Sequence, residues 1–326
     1  MSDWKRNLKA DPTDWLLGPD NPSVRYRTLF DILNRSADDP EVLEEQAKIP
    51  VWPPVAQLLA SQERDGYWVK RDYYLPRTGR GTFWALTVLA DLGLTAKQGL
   101  ASENEYIQRA CDFMFAHQRE SGEFCRRRRV PGQGVVWEEH GEPCTHARIV
   151  RFLIQFGYAD DPRVRRAIDW LLPFQRDDGM WFCRDAGRRG CLRATIDMLR
   201  VAALDPDTAA QPGIAHAAAS VCDLLMEPHM SRYHVGEAWG TWEALKYPYF
   251  GFSVISALDA LARLGYTMEE SKIAAAVAYL LSRQMPDGTW PMDQSWPNPP
   301  LDFGQVGEPS KWLTVDALRV IKLFAD

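Results

Sequence analysis

Four cysteines stand where they could gather at one place. Cys125 and Cys144 bracket one connection of the chain, and Cys183 and Cys191 bracket the next. The spacing leaves 18 and 7 residues within the pairs and 38 between them, which is not a short zinc signature. What the pairs share is register: one Cys falls just after a turn, the other at the start of a helix. Four thiolates suit tetrahedral zinc, so Cys125, Cys144, Cys183 and Cys191 are the candidate ligands. His146, separated from Cys144 by one residue, is a reserve ligand and a candidate catalytic residue, or else an ordinary core histidine. The competing role for the cysteines is as small buried hydrophobes, the role expected of Cys111 and Cys222.

Arginines crowd the same connections. Arg71, Arg77 and Arg80 lie in the first, Arg126 to Arg129 in the second, and Arg184, Arg188, Arg189 and Arg193 in the third. Gathered at one end of the molecule they would form a basic mouth, and Arg pairs bidentately with phosphate oxygens. Arg80, Arg127, Arg188 and Arg189 are the candidate anion-binding residues. The alternative is a solvated face balanced by Glu138, Glu139 and Glu142.

An aromatic run follows, with Trp239, Trp242, Tyr247, Tyr249, Phe250 and Phe252, and Tyr26, Trp84 and Trp312 stand in or near helices elsewhere. Trp84, Trp239 and Tyr249 are the candidate walls of an apolar site, whose π faces would also favour a cation; plain core packing is the other role. Asp197 is the candidate acid, and with Asp316 the one obvious carboxylate pair for glycoside hydrolysis. No Gly-rich dinucleotide loop, P-loop, Gly-x-Ser-x-Gly elbow or His-Glu-x-x-His motif occurs in the sequence.

These residues hang on a repeat. Gln62, Gln118, Gln175 and Gln284 are each followed by Asp or Ser at +3, Gly at +4 and an aromatic at +6. Apolar residues precede each Gln at −11, −7, −4 and −3, from Val51, Val55, Leu58 and Leu59 in the first unit to Ile273, Val277, Leu280 and Leu281 in the last. That spacing marks one face of a helix ending near the Gln, with the Gly supplying a left-handed turn. The Gln residues recur after 56, 57 and 109 residues, which predicts a diverged unit near His229, preceded by Ala218, Cys222, Leu225 and Met226. A second, more uniformly apolar set of helices is expected at 23–34, 82–92, 145–156, 192–203, 250–264 and 312–324. A helix within 3–17 would complete six pairs. Strand patterns are nearly absent.

Of 326 residues, 46% are apolar and 25% charged, with a net charge of −6; this is globular composition and does not suggest a nucleic-acid binder. No apolar run reaches the ~18 residues of a membrane span, and the start carries no signal-like stretch, so a cytoplasmic protein is expected. Six cysteines are too few for a disulfide scaffold in a chain of this length.

The Gln-x-x-Asp-Gly-x-Trp units resemble the repeats of squalene–hopene cyclases and protein prenyltransferase β subunits, over about residues 23–324. The resemblance implies an all-α (α/α)6 toroid, a single domain at 23–326 with a helical segment at 1–22 packed on it. It gives Gln62, Trp68, Gln175, Trp181, Gln284 and Trp290 the structural role of tying each outer helix to the next inner one. It also implies an isoprenoid-like, hydrophobic or diphosphate-bearing small molecule in the central cavity; zinc as cofactor is expected from the four cysteines themselves. The Asp-x-Asp-Asp acid of the cyclases is missing: Asp205-Pro206-Asp207 is followed by Thr208. The prenyltransferase Asp, Cys and His zinc spacing is missing too. The alternative function is a non-catalytic toroid that binds a ligand or protein partner and holds structural zinc on four cysteines.

Overall fold

The computed structural model describes residues 4–73, 79–95, 104–138, 142–182, 190–227 and 241–325. Helix dominates. The first group is α1 (Thr13–Leu16), α2 (Pro22–Arg27), α3 (Pro40–Lys48), α4 (Pro53–Ala60) and α5 (Thr82–Asp91). Next come α6 (Asn104–Phe115), α7 (Pro143–Leu153), α8 (Pro162–Leu171), α9 (Leu192–Ala202) and α10 (Pro206–Ala209). The last are α11 (Pro212–Leu224), α12 (Val254–Arg263), α13 (Ser271–Ser282) and α14 (Lys311–Leu323). No described helix is long and apolar enough to cross a membrane.

Strands are not quite absent. β1 (Arg126–Val130) pairs antiparallel with β2 (Gly134–Glu138), with Arg128 opposite Val136. The expected basic connection is therefore a hairpin in part. Its cue is Pro131-Gly132, a turn dipeptide, with Gly132 and Gly134 at φ of 78° and 79°. β3 (Lys246–Tyr247) pairs in parallel with β4 (Gln294–Ser295).

The helices fall into two sets. α4, α6, α8, α11 and α13 bury one face each: Ile107, Cys111 and Met114 on α6, Val164, Ile168 and Leu171 on α8. Val51 departs from the pattern and is 58% exposed, because Pro53 and Pro54 start α4 two residues later. The second set is buried on nearly all sides; residues 82 to 90 of α5 are all buried. Within it α5 packs on α7, α7 on α9, α9 on α12, α12 on α14, and α14 on α2. Ser23 of α2 donates to the carbonyl of Leu92, just past α5, at 2.7 Å. Asp39 and Asp161 cap α3 and α8 through the N–H groups of Glu41 and Arg163, with Pro at the first helical position.

The repeated Gln does something other than expected. Its Nε2 donates to the turn Gly carbonyl and to a carbonyl at or near the next helix of the same set: Gln62 to Tyr106, Gln118 to Arg163, Gln175 to Gly213. Gln284 reaches Ala10 at 3.0 Å and accepts from Lys9 N at 2.6 Å, so the segment before α1 takes the place of a following repeat. The Trp indole caps its own helix instead, with Trp68, Trp181 and Trp290 Nε1 donating to Leu58, Leu171 and Leu280. The inner helix is reached by the aromatic residue's backbone. Trp68, Trp181 and Trp290 N donate to the hydroxyls of Thr82, Thr195 and Thr314. Glycine is required at the turn: Gly122 has φ 96°, and a Cβ there would lie 2.1 Å from the Arg166 carbonyl oxygen of α8.

Candidate functional site

His146 and Asp197 lie on adjacent buried helices, and neither is available for the chemistry foreseen for it. His146, on α7, is fully buried. Its Nε2 accepts from Phe124 N at 3.0 Å, its Nδ1 contacts the Glu142 carbonyl at 2.9 Å, and its ring stacks on Trp170 at 4.2 Å. Both ring nitrogens are occupied, which leaves no lone pair for a metal. Burial pushes its pKa down to about 4, so the imidazole is neutral. Asp197, on α9, accepts two hydrogen bonds from Arg148, at 3.1 and 2.8 Å. Asp316 is held by Arg27 and by Arg319 at 3.1 Å. The pair that glycoside hydrolysis would need is thus tied up in salt bridges.

A wider pattern surrounds these pairs. Arg148, Asp197, Asp259 and Asp316 are each the sixth residue of their helix, α7, α9, α12 and α14. Arg151, Arg200 and Arg319 are each the ninth. Positions three apart share a helical face, and these faces meet. Arg151 bonds Asp91 at 2.5 Å, Arg200 lies 3.7 Å from the same carboxylate, and Arg319 bridges Asp259 at 3.1 Å. Burial alone would raise the pKa of Asp259, but Arg319 and Arg263 hold it at about 2. Burial is likewise the largest influence on Arg148 and lowers its pKa to about 10; Asp197 opposes this, while Arg193, Arg151 and Arg200 add to it. Paired and buried ions of this kind hold helices in register and are poor proton donors.

Nearer the starts of the helices the buried side chains become aromatic. Trp84 is the third residue of α5 and Trp312 the second of α14. The Trp84 ring lies 4.5 Å from that of Phe250 and 5.7 Å from that of Trp296. Tyr247 stacks on Trp312 at 5.6 Å and meets Tyr249 at 5.2 Å and Phe303 at 4.9 Å. Lys246 Nζ sits 4.7 Å from the centre of the Trp296 ring, and burial lowers its pKa. The two layers touch where Arg148 Nη1 donates to the Phe250 carbonyl at 2.8 Å.

Of the foreseen binding residues, Trp84 and Tyr249 belong to this aromatic layer. Arg80 is exposed, and only the backbone of Arg127 is described, in β1. Arg188, Arg189, Trp239, Cys183 and His229 lie outside the described residues, as do Arg77 and Arg184. The neighbouring Arg126 is bound to Asp72 by its Nε and Nη2, so that arginine serves an ion pair. Cys125, Cys144 and Cys191 are buried. Among the described residues no three His, Cys, Asp or Glu side chains are grouped so as to hold a metal. Sequence reasoning missed Lys246, Trp296, Phe303 and the arginines of the sixth and ninth positions. The signal for the last was an Arg or Asp followed by Arg three residues on, at 148/151, 197/200 and 316/319, inside otherwise apolar helices.

No protein-family model and no curated protein matches the chain. Solved structures do resemble it. A protein from Actinoplanes is 16% identical with a TM-score of 0.36, over 87% of this chain and 99% of that one. The type II terpene cyclase MstE from Scytonema, without ligand, is 15% identical with a TM-score of 0.31, over 85% and 97%. A variant of that cyclase in complex with merosterolic acid A gives 16% and 0.32, over 86% and 97%. None of these is similar enough for a residue's role to be carried across.

Proposed function

We propose that the chain is an (α/α)6 toroid that binds an isoprenoid-like apolar molecule, as the squalene–hopene cyclase and prenyltransferase resemblance implies. The second set of helices would form the inner wall, with α1 as the sixth outer helix. The observation that carries the ligand reading is the meeting of aromatic side chains from separate segments. Trp84 of α5, Phe250 of the segment before α12 and Trp296 of the segment before α14 meet one another, and Trp312 of α14 meets Tyr247 and Phe303 in a second aromatic cluster. Aromatic walls suit a long unsaturated hydrocarbon, and their π faces would steady positive charge on it.

The interior aspartates bear on the reaction. Asp91, Asp197, Asp259 and Asp316 all pair with arginine, so none is suited to protonate an alkene. The favoured chemistry is therefore binding, or transfer onto a nucleophile, rather than acid-initiated cyclisation. The same pairing favours the second reading, a ligand-binding toroid without catalysis.

Zinc is part of the proposal on the strength of the sequence pattern. Cys144 is the second residue of α7 and Cys191 the N-cap of α9, two helices that pack together, and Cys125 and Cys183 would have to complete the set without His146. If bound, zinc would keep a thiolate reactive or tie the helix starts together.

Tryptophan fluorescence titrated with farnesol and geranylgeraniol tests the ligand reading. Saturable quenching in the wild type, weakened tenfold or more in Trp84→Ala, is expected. No saturable change in folded wild-type protein would remove it.

A further inference from the structure

We propose that Arg200, beside Arg151 and Asp91, receives a small oxyanion, a carboxylate or a phosphate, in a recess between α5, α7 and α9. This site is separate from the aromatic residues and lies toward the other end of the same helices. Asp91 stands seven residues beyond Trp84 on α5, about 10 Å along the helix.

Three helices bring the groups together, with α7 packed on both α5 and α9. Arg151 Nη1 bonds Asp91 Oδ1 at 2.5 Å, whereas Arg200 Nη2 comes no closer to that same oxygen than 3.7 Å. The second distance is beyond hydrogen-bond range. The Arg200 guanidinium completes no hydrogen bond to another described residue, although it carries five N–H donors. A cation in the last turn of a helix is favoured by the helix dipole. That accounts for an arginine at this position but fills none of its donors.

The surplus is also one of charge. Among the described residues the interior ion pairs link six arginines to five aspartates, running from Arg27 and Asp31 to Arg148 and Asp197. Asp91 is bonded by Arg151, which leaves Arg200 as the sixth arginine. Burial, and after it the neighbouring Arg151, pull the Arg200 pKa below its ordinary value. An oxyanion held by the guanidinium would offset both. Asp91, Asp197 and Asp259 are the carboxylates near enough to act on Arg200, and each is paired with another arginine, so their repulsion of an anion is weak.

Water reaches this place. Asp91, Arg200, Asp259 and Arg319 each keep 12–17% of the side chain exposed. Yet burial is the largest influence on the pKa of all four. Charges on an outer surface would not be dominated by burial; these line a recess that reaches in among the helices.

Calorimetric titrations with inorganic phosphate and with acetate, in chloride buffer at constant ionic strength, test the site. Saturable binding of at least one ion is expected, weakened tenfold or more in Arg200→Met. Binding of phosphate alone would assign a phosphate group to the site, and of acetate alone a carboxylate. Stability gives a second readout. Arg200→Met leaves no carboxylate unpaired, so in chloride buffer it should melt close to the wild type. Arg151→Met strips Asp91 of its hydrogen bonds and should melt well below. Absence of saturable binding of either ion to folded wild-type protein would overturn the proposal. So would binding that survives unchanged in Arg200→Met, or a melt of Arg200→Met as low as that of Arg151→Met.

Discussion

His146 Nε2 accepts the backbone N–H of Phe124 at 3.0 Å, in the place where Thr82, Thr195 and Thr314 accept from Trp68, Trp181 and Trp290. The likeness extends one turn back. Thr195 Oγ1 bonds the carbonyl of Cys191, and His146 Nδ1 bonds that of Glu142, each four residues earlier. The histidine is a repeat element with a different side chain.

His146→Thr should therefore keep the fold and remove an acid sensitivity. The folded pKa of about 4 is below the ordinary 6.5, so the unfolded chain takes up a proton first as pH falls. The stability the neutral ring contributes is complete above pH 6.5 and declines toward pH 4, by up to about 3 kcal/mol. Melting curves between pH 7.5 and 4.5 should fall more steeply for the wild type than for His146→Thr. Parallel curves would mean that the ring is not held neutral.

The turn glycines should differ sharply among themselves. Gly122→Ala meets both a positive φ and the Arg166 carbonyl, and should cost upwards of about 2 kcal/mol. Gly132→Ala, in the hairpin turn, has a positive φ but nothing within 4 Å, and should cost about 1 kcal/mol. Urea unfolding of the two variants measures the difference; equal losses would show that the close approach at Gly122 is not felt.

The Arg148–Asp197 pair should behave as structure. Asp197→Ala leaves a buried guanidinium without its carboxylate and should cost about 3–5 kcal/mol. The double replacement Arg148→Met with Asp197→Leu should recover most of that loss in the same denaturation assay. A single variant as stable as the wild type would contradict the structural role and reopen Asp197 as a functional acid.

Why some of this was legible and some was not follows from range. The Gln and Gly of each turn act on bonds set by local sequence, so Gln118 and Gly122 announce themselves. Their destination on the next outer helix, at Arg163 and Arg166, depends on how successive hairpins stack, which no single unit contains. The charged faces left a trace as spacing, 148/151 and 197/200, that was passed over, and their pairing needed the rotation of α7 against α9. Asp197 alone looked like an acid; beside Arg148 it is half of an ion pair. Lys246 and Trp296 come from segments without periodicity, and only the short β3–β4 pairing brings them together.

The zinc proposal has its own check. Mass spectrometry of protein expressed with zinc should give about one metal per chain, lost in Cys144→Ala with Cys191→Ala, and bound more weakly as pH drops because the thiolates must be free of protons. Sub-stoichiometric zinc in the wild type would leave Cys125, Cys144 and Cys191 as packing residues.

Crystals grown with geranylgeraniol test the central claim most directly, through the position of the ligand's electron density. The account predicts a chain of density inside the molecule, in contact with Trp84, Phe250, Trp296 and Trp312. Density confined to the outer helices, with those four side chains packed as they are without ligand, would contradict it.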